Sequence, residues 1–145
     1  MADVADHPTF DVELVTPDGP VFQGDAHMLI VPGAAGEIGV LARHAPLIAL
    51  LKAGSTRVYT NREAHEVEEF ATGPGFFTVE QDRALALVDT AVNVREIDSA
   101  VAEEQLEQAK AELERVERGE SEADRWQLEQ RIKAAENQLA AAGRT

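Results

Sequence analysis

The chain has 145 residues, 44% of them hydrophobic, a formal net charge of -14 and no cysteine. That is enough for one ordinary domain, or a small domain with an appendage, and it excludes disulfides, thiolate nucleophiles and Cys-ligated zinc. The negative charge repels a phosphate backbone, no basic patch offsets it, and no apolar run reaches the roughly 18 residues of a spanning helix, so nucleic-acid binding and membrane insertion are both excluded. "MADVADHPTF" carries acids where a signal peptide carries bases, which predicts a soluble, intracellular protein.

From the N-terminus, "FDVELVT" alternates Phe10, Val12 and Leu14 with Asp11 and Glu13, as a strand with one wet face does. "TPDGP" then turns the chain. Short apolar runs follow at "HMLIV", "IGVL", "LIALL", "TRVYT", "FFTVE" and "ALALV", each fenced by Gly, Pro, Asn or Asp. "HEVEEFAT" is read as a further strand, although Val67 and Phe70 fall on opposite faces of a regular one. Short strands at this spacing predict an antiparallel sandwich or barrel.

Near Val94 the composition changes. All six prolines and all five phenylalanines lie before that point, and Glu, Ala, Gln and Leu dominate after it. Ala102, Leu106, Ala109, Leu113 and Val116 repeat at four-three spacing, and so do Leu128, Ile132, Ala135, Leu139 and Ala142, so two helices each present a narrow apolar seam. Gly119 is the expected C-cap, and Ser121 the expected N-cap with Asp124 three residues on, which predicts a tight turn and antiparallel helices. Alanine buries little area, so the seam is expected to hold weakly.

The stretch "PGAAGEIGVLARHAPL" concentrates glycine around one acid and one histidine. It is not a phosphate loop, because no Lys-Ser/Thr follows Gly33, Gly36 and Gly39, and its spacing fails the dinucleotide fingerprint. His7, His27, His44 and His65 are scattered without metal-ligand spacing, and no serine sits in a G-x-S-x-G elbow. Two readings remain. The glycines make turns with Glu37 solvated and His44 capping a loop, or the stretch is a docking surface carried on a rigid sheet.

A resemblance separates them. "VTPDGPVFQGDA", "VPGAAGEIGVLARHAPLIALLKAG", "ATGPGFFTVEQDRALALVDTA" and "REIDSAVAEEQLEQAKAELER", in this order from about Phe10 to the end, resemble the epsilon subunit of the rotary ATP synthases of bacteria and chloroplasts, called delta in mitochondria. The resemblance implies a mainly β fold with α: a flattened antiparallel β-sandwich over residues 1–95, then an antiparallel α-helical hairpin over 96–145. It implies a non-catalytic, cofactor-free rotor subunit that couples c-ring rotation to ATP synthesis. It also implies a peripheral place on the cytoplasmic face of the cell membrane. The implied partners are the gamma subunit, the polar loops of the c-ring and, through an extended hairpin that blocks ATP hydrolysis, the alpha and beta catalytic subunits. Matched residue by residue, the c-ring contact falls on Gly36, Glu37 and His44. One departure stands beside it: Ala42-Arg43 replaces the usual Pro-Gly before His-Ala-Pro. A second concerns the ATP motif of some members, which here reads Ile97-Asp98-Ser99-Ala100-Val101-Ala102, with Val101 in the arginine's place and Ala134 and Gln138 near the positions of later arginines. A nucleotide needs cationic donors for its phosphates, so Asp98 is expected to cap the helix and the motif to be degenerate. Trp126 is expected as ordinary cover or as a partner anchor. The alternative to a rotor subunit is a free-standing small-ligand-binding β-sandwich with an oligomerising helical tail.

Overall fold

The computed structural model describes residues 8–61 and 66–143, so His7 and His65 lie outside the described residues. The chain divides into two compact units, Met1–Asn93 and Val94–Thr145.

Among the described residues, the first unit is built from ten strands: β1 (Phe10–Thr16), β2 (Gly19–Ala26), β3 (Met28–Gly33), β4 (Gly36–Val40), β5 (Leu47–Leu51), β6 (Gly54–Asn61), β7 (Glu66–Thr72), β8 (Gly75–Glu80), β9 (Arg83–Val88) and β10 (Ala91–Asn93). They hydrogen-bond in the order β10-β7-β6-β3-β5-β8-β9-β1-β2, with β4 on β3. The pairing of β3 with β5 is confined to Gly33 opposite Leu51, which is where one layer of the sandwich hands over to the other. All pairs are antiparallel except β1 with β9.

The alternation in the sequence sets the core. Phe10, Val12 and Leu14 on β1 point inward with Leu29 and Val31, Val58, Phe77 and Val79, and Ala84, Ala86 and Val88. Phe22 meets Phe70 edge-on, ring centroids 6.3 Å apart, a favoured aromatic geometry. Thr56 and Thr72, buried on neighbouring strands, satisfy each other across 2.9 Å, which removes the cost of an unpaired buried hydroxyl.

Strands β2 and β10 are additions to the sequence reading. Apart from Ala26, the residues of β2 are exposed or half-buried on a sheet edge, so its residues carry little apolar alternation to betray it. The weakly patterned "HEVEEFAT" does form a strand, with Phe70, Ala71 and Thr72 all buried.

The second unit opens on a 3-10 turn at Val94–Glu96 and continues as α1 (Ser99–Glu117) and α2 (Arg125–Ala142). Ala102 and Ala109 are the buried residues of α1, and Leu128, Ala135 and Ala141 those of α2. The larger seam residues Leu106, Leu113, Val116, Ile132 and Leu139 are only half-buried. α1 ends in a Schellman motif: Gly119, at φ +75°, donates to Val116 O and Glu120 donates to Arg115 O. The second cap differs from the expectation. Asp124, not Ser121, caps α2 by accepting from the backbone of Trp126 and Gln127. The Ser121 hydroxyl is committed elsewhere, donating to Glu112 and accepting from Ala123 N, so the connection is longer than a tight turn.

Candidate contact surfaces

The glycine-rich stretch folds as a hairpin and a loop on either side of β4. Gly33 and Gly36 face each other as the last β3–β4 pair, and Gly36 takes φ +142°, a conformation open to glycine and strained for other residues. Glu37 is the second residue of β4 and stands opposite Pro32. Its Oε2 accepts from Nη2 of Arg57 at 2.9 Å, and the glutamate side chain is 61% exposed. His44 lies beyond the other end of β4, in the connection to β5, with Nδ1 2.6 Å from Ala45 O. The ring therefore donates from Nδ1 to its neighbour's carbonyl and keeps Nε2 for another partner. Gly36 and Glu37 thus share one turn, while His44 is separated from them by the strand, about 10 Å of β rise from Glu37 to Val40. The three residues were expected on one loop; the structure has Gly36 and Glu37 at the start of β4 and His44 beyond its far end, and β4 pairs with β3 alone among the described residues.

The Ala42-Arg43 departure has a definite local geometry. Arg43 adopts φ +64°, and its backbone N–H donates to Oδ1 of Asp82, at the β8–β9 turn.

A second surface was not singled out in the sequence. Leu50, Phe76, Leu87 and Val15 stand opposite one another in register across β5, β8, β9 and β1. In the next row lie Ile48, Thr78, Leu85 and Glu13. Residues directly opposite share a face, and it is the outer one: Ile48 is 79% exposed, Leu50 59% and Phe76 58%. The outer face of an antiparallel sheet is ordinarily polar, so a contiguous apolar one marks a place for another surface. The available signal was "LIALL" and "ALALV", which are apolar at both alternate positions.

The degenerate ATP motif is a helix start. Asp98 caps α1, accepting from Ala100 N at 3.0 Å and Val101 N at 3.3 Å. Ile97 is half-buried, Val101 is 46% exposed and Ala102 is buried. Between the helices runs a groove of about 600 Å³ lined by Gln105, Gln108, Glu112, Arg131, Ala134 and Gln138 among others. Arg131 is the one cation of that lining, which also holds the acid Glu112, a poor match to a triphosphate. Trp126 is 66% exposed and covers little. Among the described residues, no group of three or more His, Asp or Glu side chains is placed to hold a metal, and no helix is long and apolar enough to cross a membrane.

The family model described as ATP synthase, Delta/Epsilon chain, beta-sandwich domain matches residues 9–94. The chain is 34% identical over 137 residues to an ATP synthase epsilon chain of Halalkalibacterium halodurans, covering 94% of this chain and 99% of that one. It is 38% identical over 107 residues to the ATP synthase epsilon chain of Laribacter hongkongensis, covering 74% and 76%. A chain in the Euglena gracilis mitochondrial ATP synthase, in an assembly of OSCP, F1 and c-ring, superposes with a TM-score of 0.73 at 25% identity, over 92% of this chain and 81% of that one. A chain of the Tetrahymena thermophila enzyme's central stalk and c-ring shares the fold, with a TM-score of 0.55 at 11% identity. These matches disfavour a free-standing ligand binder, and together with the sandwich and paired helices they mean that the chain belongs to the epsilon family of ATP synthase subunits, non-catalytic components of the rotor.

Proposed function

We propose that this rotor subunit works through two distinct surfaces of its sandwich. The gamma subunit docks on the outer face of β5, β8, β9 and β1, over Ile48, Leu50, Phe76 and Leu87. The observation that carries this reading is the in-register apolar row on that face. Desolvating those side chains on a partner supplies the driving force that the free chain leaves unused. The polar loops of the c-ring meet the two ends of β4. At one end Gly36 lets backbone approach closely and Glu37 offers a carboxylate; at the other His44 offers Nε2. Torque passes between these surfaces through a packed and incompressible core. The complex sits on the cytoplasmic face of the membrane, with this chain peripheral to it.

The helical hairpin is the regulatory element in this reading. Its buried contacts are mostly alanines, so a rearranged packing lies within reach of partner binding. Once extended, it meets the alpha and beta subunits and slows hydrolysis.

The test of the docking surface is co-purification of full-length Leu50→Asp and Phe76→Asp variants with gamma. The expected result is loss of gamma with unchanged circular dichroism. Retention of gamma at wild-type yield overturns the assignment.

A further inference from the structure

Arg43 is a bulky residue held at φ +64° in the connection between β4 and β5. The left-handed region is unfavourable for a side chain of that kind, and such a conformation persists only where the surroundings over-determine it. Among the described residues, one hydrogen bond meets this backbone from a distant segment. The Arg43 backbone N–H donates to the Asp82 carboxylate, across 39 residues of sequence.

Asp82 is itself firmly placed. Glu80 and Arg83 close the β8–β9 pair, leaving Gln81 and Asp82 as a two-residue turn with φ +48° and +58°. Positive φ at both positions is the twist-matched hairpin turn, and Asp tolerates it well. The Asp82 carbonyl also accepts from Asp11 N at 2.9 Å, which ties the turn to β1. The carboxylate is therefore presented from a rigid hairpin, and an ionised acceptor makes the stronger kind of backbone hydrogen bond. His44 follows Arg43 directly, so the dihedrals of Arg43 decide where its ring points.

We propose that Asp82 is a positioning residue: its carboxylate holds Arg43 in the left-handed conformation and so aims His44 at the c-ring. The inference rests on the reading of His44 as a contact, and it adds the element that makes the contact possible without glycine at position 43.

The variants separate this role from general stability. Asp82→Gly removes the acceptor while keeping a residue that favours positive φ in the turn, and Asp82→Asn keeps a neutral acceptor. Arg43→Gly removes the need for the brace. Hydrogen exchange of the Arg43, His44 and Ala45 amides is read in the full chain. Proton pumping per ATP hydrolysed is read in the reconstituted complex. Asp82→Gly is expected to speed exchange of these amides roughly tenfold, the loss of one charge-assisted hydrogen bond, and to lower pumping. Asp82→Asn should retain most of both, and Arg43→Gly combined with Asp82→Gly should restore pumping and slow the His44 and Ala45 amides again. Unchanged exchange in Asp82→Gly, or no rescue by Arg43→Gly, overturns the proposal. If exchange responds and is rescued while neither Asp82→Gly nor His44→Ala alters pumping, the brace stands and the contact role of His44 falls.

Discussion

Nη2 of Arg57 donates to Oε2 of Glu37 at 2.9 Å, from β6 to β4, across the intervening strand β3. In the registered row Gly39, Ile30 and Arg57 stand side by side. Gly39 has open space where a Cβ would be, so no side chain at that position stands between the arginine and the carboxylate two residues along. The pair leaves one glutamate oxygen for a partner and fixes the direction in which it faces.

Because both side chains are partly solvated, the pair should contribute little to folding, at most about 1 kcal/mol. Arg57→Ala and Glu37→Gln are expected to shift a urea midpoint only slightly. Glu37→Ala should lower proton pumping in the reconstituted complex more than Arg57→Ala, which only frees the carboxylate to wander. A loss of several kcal/mol in the denaturation series would make the pair structural and remove its role in contact.

Adjacent phenylalanines should behave as opposites. Phe77 is fully buried and Phe76 is 58% exposed. Phe77→Ala is expected to cost about 3–5 kcal/mol of stability, and Phe76→Ala less than about 0.5 kcal/mol. In gamma binding the order reverses among folded variants: Phe76→Ala weakens it markedly. Thermal denaturation alongside calorimetric titration with gamma reads both.

A chain ending at Arg95 should fold. Every residue of the main core cluster lies between Phe10 and Val88, so the sandwich closes around its own side chains. Near-UV circular dichroism and hydrogen exchange of the Met1 to Arg95 fragment check this, and an exchange profile without protected strands would contradict it.

Removing residues 96–145 should raise ATP hydrolysis by the complex, whereas millimolar ATP should leave the isolated chain unchanged. The groove between the helices is lined by one arginine and one glutamate, which is too little positive charge for phosphates. Hydrolysis rates of truncated and full-length complexes, with calorimetric titration of the free chain, decide the two parts separately.

Asp11 and Asp25 face each other in register on β1 and β2. Hydrogen bonding to Asp11 raises the Asp25 pKa, with smaller contributions from desolvation and from the like charge. A carboxyl raised on folding binds more protons in the native state, so its contribution falls as pH climbs from the ordinary carboxylate value of 3.8 through the raised one. Above that window the repelling pair is a cost. Asp25→Asn should therefore raise the melting temperature near neutral pH, by a margin that shrinks as pH is lowered toward the ordinary carboxylate range. A melting temperature that falls at neutral pH would show that the facing carboxylates are not a net cost to the fold.

Local periodicity determined a good part of this protein. Alternation in "FDVELVT" and "FFTVE" and four-three spacing from Ala102 to Val116 identified strands and helices, since each depends on neighbours a few residues away and on the need to bury one face. The Asp98 cap was legible for the same reason, the carboxylate and the amides it binds being two and three residues apart. Where partners are distant, the tertiary structure decided. Glu37 meets Arg57 across 20 residues and Arg43 meets Asp82 across 39, and no periodicity records which strands become neighbours. The outer apolar row joins residues of β1, β5, β8 and β9, and each strand shows only that both of its faces are apolar. The identity of the outer face, and hence of the surface left for a partner, follows from the order in which the strands pair, which is set by the packing of the whole core and not by any one segment.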